Sequence, residues 1–198
     1  IAENIFKPGG LIIVCGPTGS GKTSTLYAIL RRINSPEKKI ITLEDPVEEM
    51  LPLINQIQID EAKGLTFYTA LRAVLRMDPD IILVGEIRDA DTARIAIRAA
   101  MTGHLVLTTL HTRNSFESLY RLIDLGIEPF LLINTINLII AQRLVRTLCP
   151  HCKIKAESEG KIIYRPKGCD KCNGTGYIGR TGIFEFLPGE FINRETLI

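Results

Sequence analysis

The sequence predicts an α/β fold with a mostly parallel central sheet, followed by a small segment with no core of its own. Three observations carry the prediction. Short β-branched apolar runs alternate with helical patterns through most of the chain. A G-x-x-x-x-G-K-T motif stands where the first such run turns into the first helix. Two C-x-x-C pairs follow the last long apolar stretch. Strand–helix alternation is the pattern of a parallel sheet covered on both faces.

At 198 residues the chain can bury the core of one α/β domain and carry a small appendage. A net charge of +2 gives no support for a strongly basic nucleic-acid surface. No apolar run reaches membrane-span length. The start, Ile1-Ala2-Glu3-Asn4, has neither the basic nor the apolar region of a signal peptide, and it lacks an initiator Met. The last residues, Arg194 to Ile198, read as a helix without a stop signal, so the sequence reads as a piece of a longer chain.

The first strand is Leu11-Ile12-Ile13-Val14-Cys15, in which Cys15 reads as a small buried apolar residue. Gly16-Pro17-Thr18-Gly19-Ser20-Gly21-Lys22-Thr23 follows, then Ser24 and a helix from Thr23 to Ile33. Strand, glycine loop and helix together form the context of a phosphate-binding loop. Glycines let successive N–H groups face one concave nest, and the helix N-terminus adds partial positive charge there. Lys22 is expected to reach the β- and γ-phosphates of a nucleoside triphosphate, and the Thr23 hydroxyl to ligate Mg²⁺.

Asn34-Ser35-Pro36 breaks the helix, and Lys39 to Leu43 is a second buried strand. It ends in the acidic cluster Glu44-Asp45-Pro46-Val47-Glu48-Glu49, at the sheet edge where open α/β folds bind ligands. Those carboxylates read either as water- or Mg²⁺-positioning groups or as a solvated loop. Ile54 to Ile59 alternates as a half-exposed strand. Thr66 caps a helix over residues 67–77, which Asp78-Pro79 stops. Ile81-Ile82-Leu83-Val84 is a strand buried on both faces, and Glu86 follows it at a Walker B position where Gly85 occupies the usual Asp site. Glu86 is expected to take a proton from, or orient, an attacking water.

Asp89 caps a helix to Met101, and Leu105 to Leu110 is the next strand. His111, at that strand's C-terminal end, reads as a γ-phosphate sensor; His104, at the other end, reads as structural or as a subunit contact. Ser115 to Leu125 is a helix ended by Gly126. Pro129 is expected to open a long apolar helix running to about Leu148.

Cys149, Cys152, Cys169 and Cys172 form the C-x₂-C-x₁₆-C-x₂-C pattern of a closed, structural four-thiolate Zn²⁺ site, with His151 not required as a ligand. A glycine-rich turn follows, and Ile183 to Phe186 returns as a strand. The expected organisation is a nucleotide-binding core over 1–148, a zinc segment over 149–176, and a return strand with the start of a helical region over 177–198.

Together these motifs resemble the secretion ATPase superfamily, specifically the ATPases of type II secretion and of type IV pilus extension. Gly16–Thr23 is similar to the Walker A box, Ile41–Glu48 to the Asp box, Asp78–Asp89 to the atypical Walker B box and Thr102–Asn114 to the His box. The Cys pairs followed by Gly179-Arg180-Thr181-Gly182-Ile183 are similar to the family's zinc subdomain, which retraction and type IV secretion ATPases typically lack. The resemblance implies a RecA-like core, ATP bound with Mg²⁺, Glu86 as general base and Glu44 as a helper. It also implies a homo-hexamer at the cytoplasmic face of the bacterial inner membrane, acting on a platform protein and reaching the membrane through its partners. In the family a preceding domain supplies arginines to the γ-phosphate, so this chain alone is expected to hydrolyse ATP weakly. The inter-cysteine loop is short for a secretion ATPase, which reads as an omitted disordered segment. Two other readings stay open: a RecA-like DNA translocase or DNA-uptake ATPase with a zinc ribbon, and a non-catalytic assembly module whose geometry nucleotide sets.

Overall fold

The computed structural model describes residues 2–193 and 195. The strands are β1 (Gly10–Cys15), β2 (Ile40–Glu44), β3 (Asn55–Gln58), β4 (Ile81–Val84), β5 (Leu105–Leu110), β6 (Ile136–Leu148), β7 (Ile154–Ser158), β8 (Lys161–Arg165) and β9 (Tyr177–Pro188). The helices are α1 (Ala2–Ile5), α2 (Lys22–Ile33), α3 (Phe67–Val74), α4 (Ala90–Met101), α5 (Ser115–Asp124) and α6 (Pro129–Thr135). The chain divides into a unit of residues 1–142 with 184–198, and a unit of residues 143–183. The helix expected over Arg194–Ile198 lies outside the described residues, Glu195 apart.

The large unit is an α/β fold around a mostly parallel sheet. The strand order is β3-β2-β4-β5-β1-β6-β9, and β1 pairs parallel with both β5 and β6. Alternation along β1 feeds two cores. Leu11, Ile13 and Cys15 pack into the cluster that includes α3 and α4, while Ile12 and Val14 pack with Leu26, Ile29 and Leu30 of α2. Each such aliphatic side chain contributes roughly 1.5–3 kcal/mol by leaving water.

The helix caps fall where the sequence places them. Thr66 accepts from the Thr69 N–H, and Asp89 accepts from the Thr92 N–H. His104 places Nδ1 3.0 Å from the Ala99 carbonyl oxygen.

One expectation fails. The long helix over 129–148 ends after seven residues, and the rest is the thirteen-residue strand β6. Leu138 to Ala141 pair with β1 and the strand is buried from Leu138 to Gln142, so it shows no polar–apolar alternation to betray its period. Its β-branched Ile136, Ile139 and Ile140 favour the pleated conformation.

The small unit, taken by itself, holds a feature the sequence reading lacked. The residues between the Cys pairs form an antiparallel β7–β8 hairpin with Ser158 opposite Lys161. Glu159 and Gly160, both at positive φ, make its two-residue turn.

Candidate active site and metal centre

Register along the sheet assembles the site. Cys15 lies opposite Leu110, and Val84 lies opposite Thr108. The phosphate-loop motif, His111 and Glu86 therefore leave three neighbouring strands on the same edge, with β5 between β1 and β4. Thr18–Ser24, Glu44, Glu86 and His111 all line one cavity of about 670 Å³.

The loop between β1 and α2 needs its glycines at particular atoms. Gly21 enters the helix at φ 86°, in the left-handed region, with no side chain capping the helix. Lys22 is buried and folds back so that Nζ donates to the Gly16 carbonyl at 2.9 Å and to the Pro17 carbonyl at 3.2 Å. Burial lowers its pKa, and the charge of Glu86 partly offsets that. The Ser20 hydroxyl is buried without a hydrogen-bond partner. An uncapped helix start, a cation and an orphaned hydroxyl in one loop form a donor set that fits phosphate. Thr23 and Ser24 are exposed to the cavity, so a Thr23 hydroxyl on a phosphate-bound Mg²⁺ fits the same arrangement.

Glu86 is set by its backbone. The Gly85 N–H donates to Leu43 O at 2.8 Å, and the Thr109 hydroxyl donates to Gly85 O at 2.7 Å. A side chain at Gly85 would bring Cβ to about 3.0 Å from Leu43 O, a tight contact that glycine avoids. The Glu86 carboxylate pairs with Arg88 and lies 3.6 Å from His111 Nε2. Burial lowers the His111 pKa, as does Lys22, while Glu86 opposes them. The net shift favours the neutral ring. Its loop is pinned by the Asn114 cap on α5 and by a 2.6 Å Thr112–Ser118 hydroxyl pair.

Glu44 is placed differently from Glu86. It is 3% exposed, and its carboxylate accepts from the Tyr27 hydroxyl, the Thr42 hydroxyl and, at 3.1 Å, the Gln56 amide. Burial and the bond to Glu44 push the Tyr27 phenol up to about 12, so it remains a donor. Glu44 is thus held by three donors while it lines the cavity. Sequence reasoning missed Tyr27, Arg88 and Gln142. Of these, only Tyr27, on the buried stripe of α2, left a signal that could have been read.

The four cysteines of the small unit do converge. Their sulfurs all lie within 4.8 Å of one another. Cys152–Cys172 and Cys169–Cys172 are 3.8 Å apart and Cys149–Cys169 is 4.0 Å apart. A tetrahedral ion about 2.3 Å from each sulfur would set them about 3.8 Å apart. The Cys172 sulfur also accepts N–H groups from Cys169 at 3.2 Å and Gly176 at 3.1 Å, as a ligating thiolate would.

A family profile described as "Type II/IV secretion system protein" matches residues 1–196. The chain belongs to this family. It is 54% identical over 194 residues to a type II secretion system protein E of Dickeya dadantii, covering 92% of this chain and 39% of the relative. It is 48% identical over 200 residues to the type IV pilus assembly ATPase PilB of Thermus thermophilus, covering 93% of this chain and 22% of PilB. The chain thus spans about two-fifths or less of the length of these relatives. A crystal structure of the pilus retraction motor PilT with bound ADP superposes with a TM-score of 0.73 at 35% identity, covering 94% of this chain and 49% of PilT. The RecA-like ATPase core expected from the motifs is thus shared with secretion and pilus motors.

Proposed function

We propose that this chain is the ATP-hydrolysing core of a motor driving type II protein secretion or type IV pilus assembly. The observation that carries the reading is the single cavity holding the glycine loop, Lys22, Glu86 and His111. Gly16 to Ser24 hold the phosphates. Lys22 leaves the Gly16 and Pro17 carbonyls for the β- and γ-phosphate oxygens. The Thr23 hydroxyl ligates Mg²⁺, which would neutralise phosphate charge. Glu86 accepts the proton of the attacking water, and neutral His111 donates to a γ-phosphate oxygen. Glu44 supports the acidic loop from behind.

In this reading Cys149, Cys152, Cys169 and Cys172 hold a structural Zn²⁺. The chain works as a homo-hexamer at the cytoplasmic face of the inner membrane, against an inner-membrane platform protein. No helix among the described residues is long and apolar enough to cross a membrane, which fits association through partners. Hydrolysis by the chain alone is weak in this reading, because further groups come from the part of the relatives it does not span.

The test is steady-state ATP hydrolysis by the chain, by a fusion to the upstream domain of the Dickeya relative, and by Glu86→Gln in each. Activity that needs the fusion and disappears with Glu86→Gln supports the motor. A silent Glu86→Gln overturns the base assignment. Residues 143–183 carry nine Lys and Arg against three Asp and Glu, so a DNA arm belongs in the same assay. Stimulation by DNA would favour the translocase.

A further inference from the structure

We infer that Gln142 is a positioning residue for the phosphate loop, acting through the Ser20–Gly21 peptide; the inference rests on the nucleotide-binding reading above. Gln142 ends the buried part of β6 and is 5% exposed. Its Nε2 donates to the Ser20 carbonyl oxygen at 2.7 Å, and its Oε1 accepts from the Thr25 hydroxyl at 2.6 Å. The Ser20 carbonyl, which can only accept, fixes which end of the amide faces the loop, and the Thr25 hydroxyl satisfies the amide oxygen at the other end.

A trans peptide carries its C=O and N–H in opposite directions. Holding Ser20 O toward β6 turns the Gly21 N–H away from β6, to the concave side where phosphate oxygens sit. Without that anchor the peptide could rotate and present a carbonyl to the phosphates instead.

Two motif glycines answer to the same residue. A Cβ on Gly16 would run into the Gln142 carbonyl oxygen, and one on Gly21 would come within 2.9 Å of Nε2. The loop is thus clamped at both ends by one side chain and its own backbone. The contact spans |i−j| of 122 residues, so no local motif announces it.

The test is displacement of a fluorescent ADP from the chain by ADP and by AMP, for wild type, Gln142→Met and Thr25→Val, with melting temperatures alongside. Met matches the length of Gln without its donor. The expected result for Gln142→Met is ADP affinity weaker by about tenfold or more, as for a lost hydrogen bond acting on a charged ligand. AMP, which cannot occupy the β-phosphate nest, should keep its affinity, and melting should stay close to wild type. Thr25→Val, which removes the donor to Gln142 Oε1, should show a smaller loss of the same kind. If ADP and AMP weaken together with a lowered melting temperature, or if neither changes, Gln142 is only a packing residue and the inference fails. Should Gln142→Met not fold, Thr25→Val decides by the same ADP-to-AMP ratio. If wild type binds no ADP, the nucleotide-binding reading fails, and that outcome is distinct from the others.

Discussion

The pair Ile12-Ile13 in β1 and the pair Ile162-Ile163 in β8 are the same dipeptide in the same kind of structure, with opposite fates. Both isoleucines of β1 are 0% exposed, whereas Ile162 is 62% exposed. The difference lies in what each unit can put over its strands. In the large unit helices cover both faces of the sheet. In residues 143–183 the buried hydrophobic residues are Cys149 and Cys172, both metal-ligand candidates. Charge divides the same way: residues 143–183 hold nine basic and three acidic residues, while the remainder holds 15 and 19. One unit is held by aliphatic packing and the other, in our reading, by sulfur on a metal.

The largest expected effect tests whether the chemistry belongs to the large unit alone. Glu86→Gln in the fused, active protein should lower ATP turnover by roughly 10²–10⁴-fold, the usual span of a general base. Bound zinc, measured by elemental analysis, should be unchanged.

Next, Cys172→Ser or chelation should remove order selectively. Amide exchange should rise across 143–183 toward the unprotected rate, while β1, β4 and β5 keep their protection and ADP still binds. Uniform loss of protection would mean that the two units do not divide as described.

A smaller effect comes from packing itself. Ile13→Ala should cost about 2–5 kcal/mol in denaturant unfolding, and Ile162→Ala should stay within about 0.5 kcal/mol. Equal costs would remove the contrast from which the comparison starts.

The smallest effect is a pH slope. The folded-state pKa of His111 is lowered, so as pH falls the unfolded chain takes up that proton first. The stability tied to the neutral ring is present above about pH 6.5 and is lost as pH falls through the lower folded-state value. His111→Gln should flatten the melting profile between pH 7 and pH 5, and the His111 resonances should titrate below the ordinary histidine range.

Legibility followed the range of the signals. The glycine loop, the strand before it, the caps Thr66 and Asp89, and the spacing of the cysteines are local patterns, and each appears in the structure where its residues place it. Glu86 and His111 could be put on one edge because strands are directional. The error over 136–148 came from a strand whose first part, to Gln142, is buried, so that alternation vanishes there and only β-branching remains as a cue. The β7–β8 hairpin had its signal in Glu159-Gly160, between the alternating Ile154–Ser158 and the apolar Ile162-Ile163-Tyr164, overshadowed by the cysteines on either side. Gln142 and Tyr27 act through partners set by the tertiary fold, and the sequence around each says nothing of the partner, whereas the partner of Arg88 is Glu86, two residues before it.

The insertion of β5 between β1 and β4 also acts as a ruler. Neighbouring strands are about 4.8 Å apart, so the strand that delivers the phosphate loop and the strand that delivers Glu86 are separated by about 9.6 Å. Exchanging one acid for the other, Asp for Glu, changes the reach across that gap by a single C–C bond. Strand order can change it only in whole steps. The reach from phosphate to base is therefore a quantised property of the topology, which substitutions at the site can fine-tune but cannot reset.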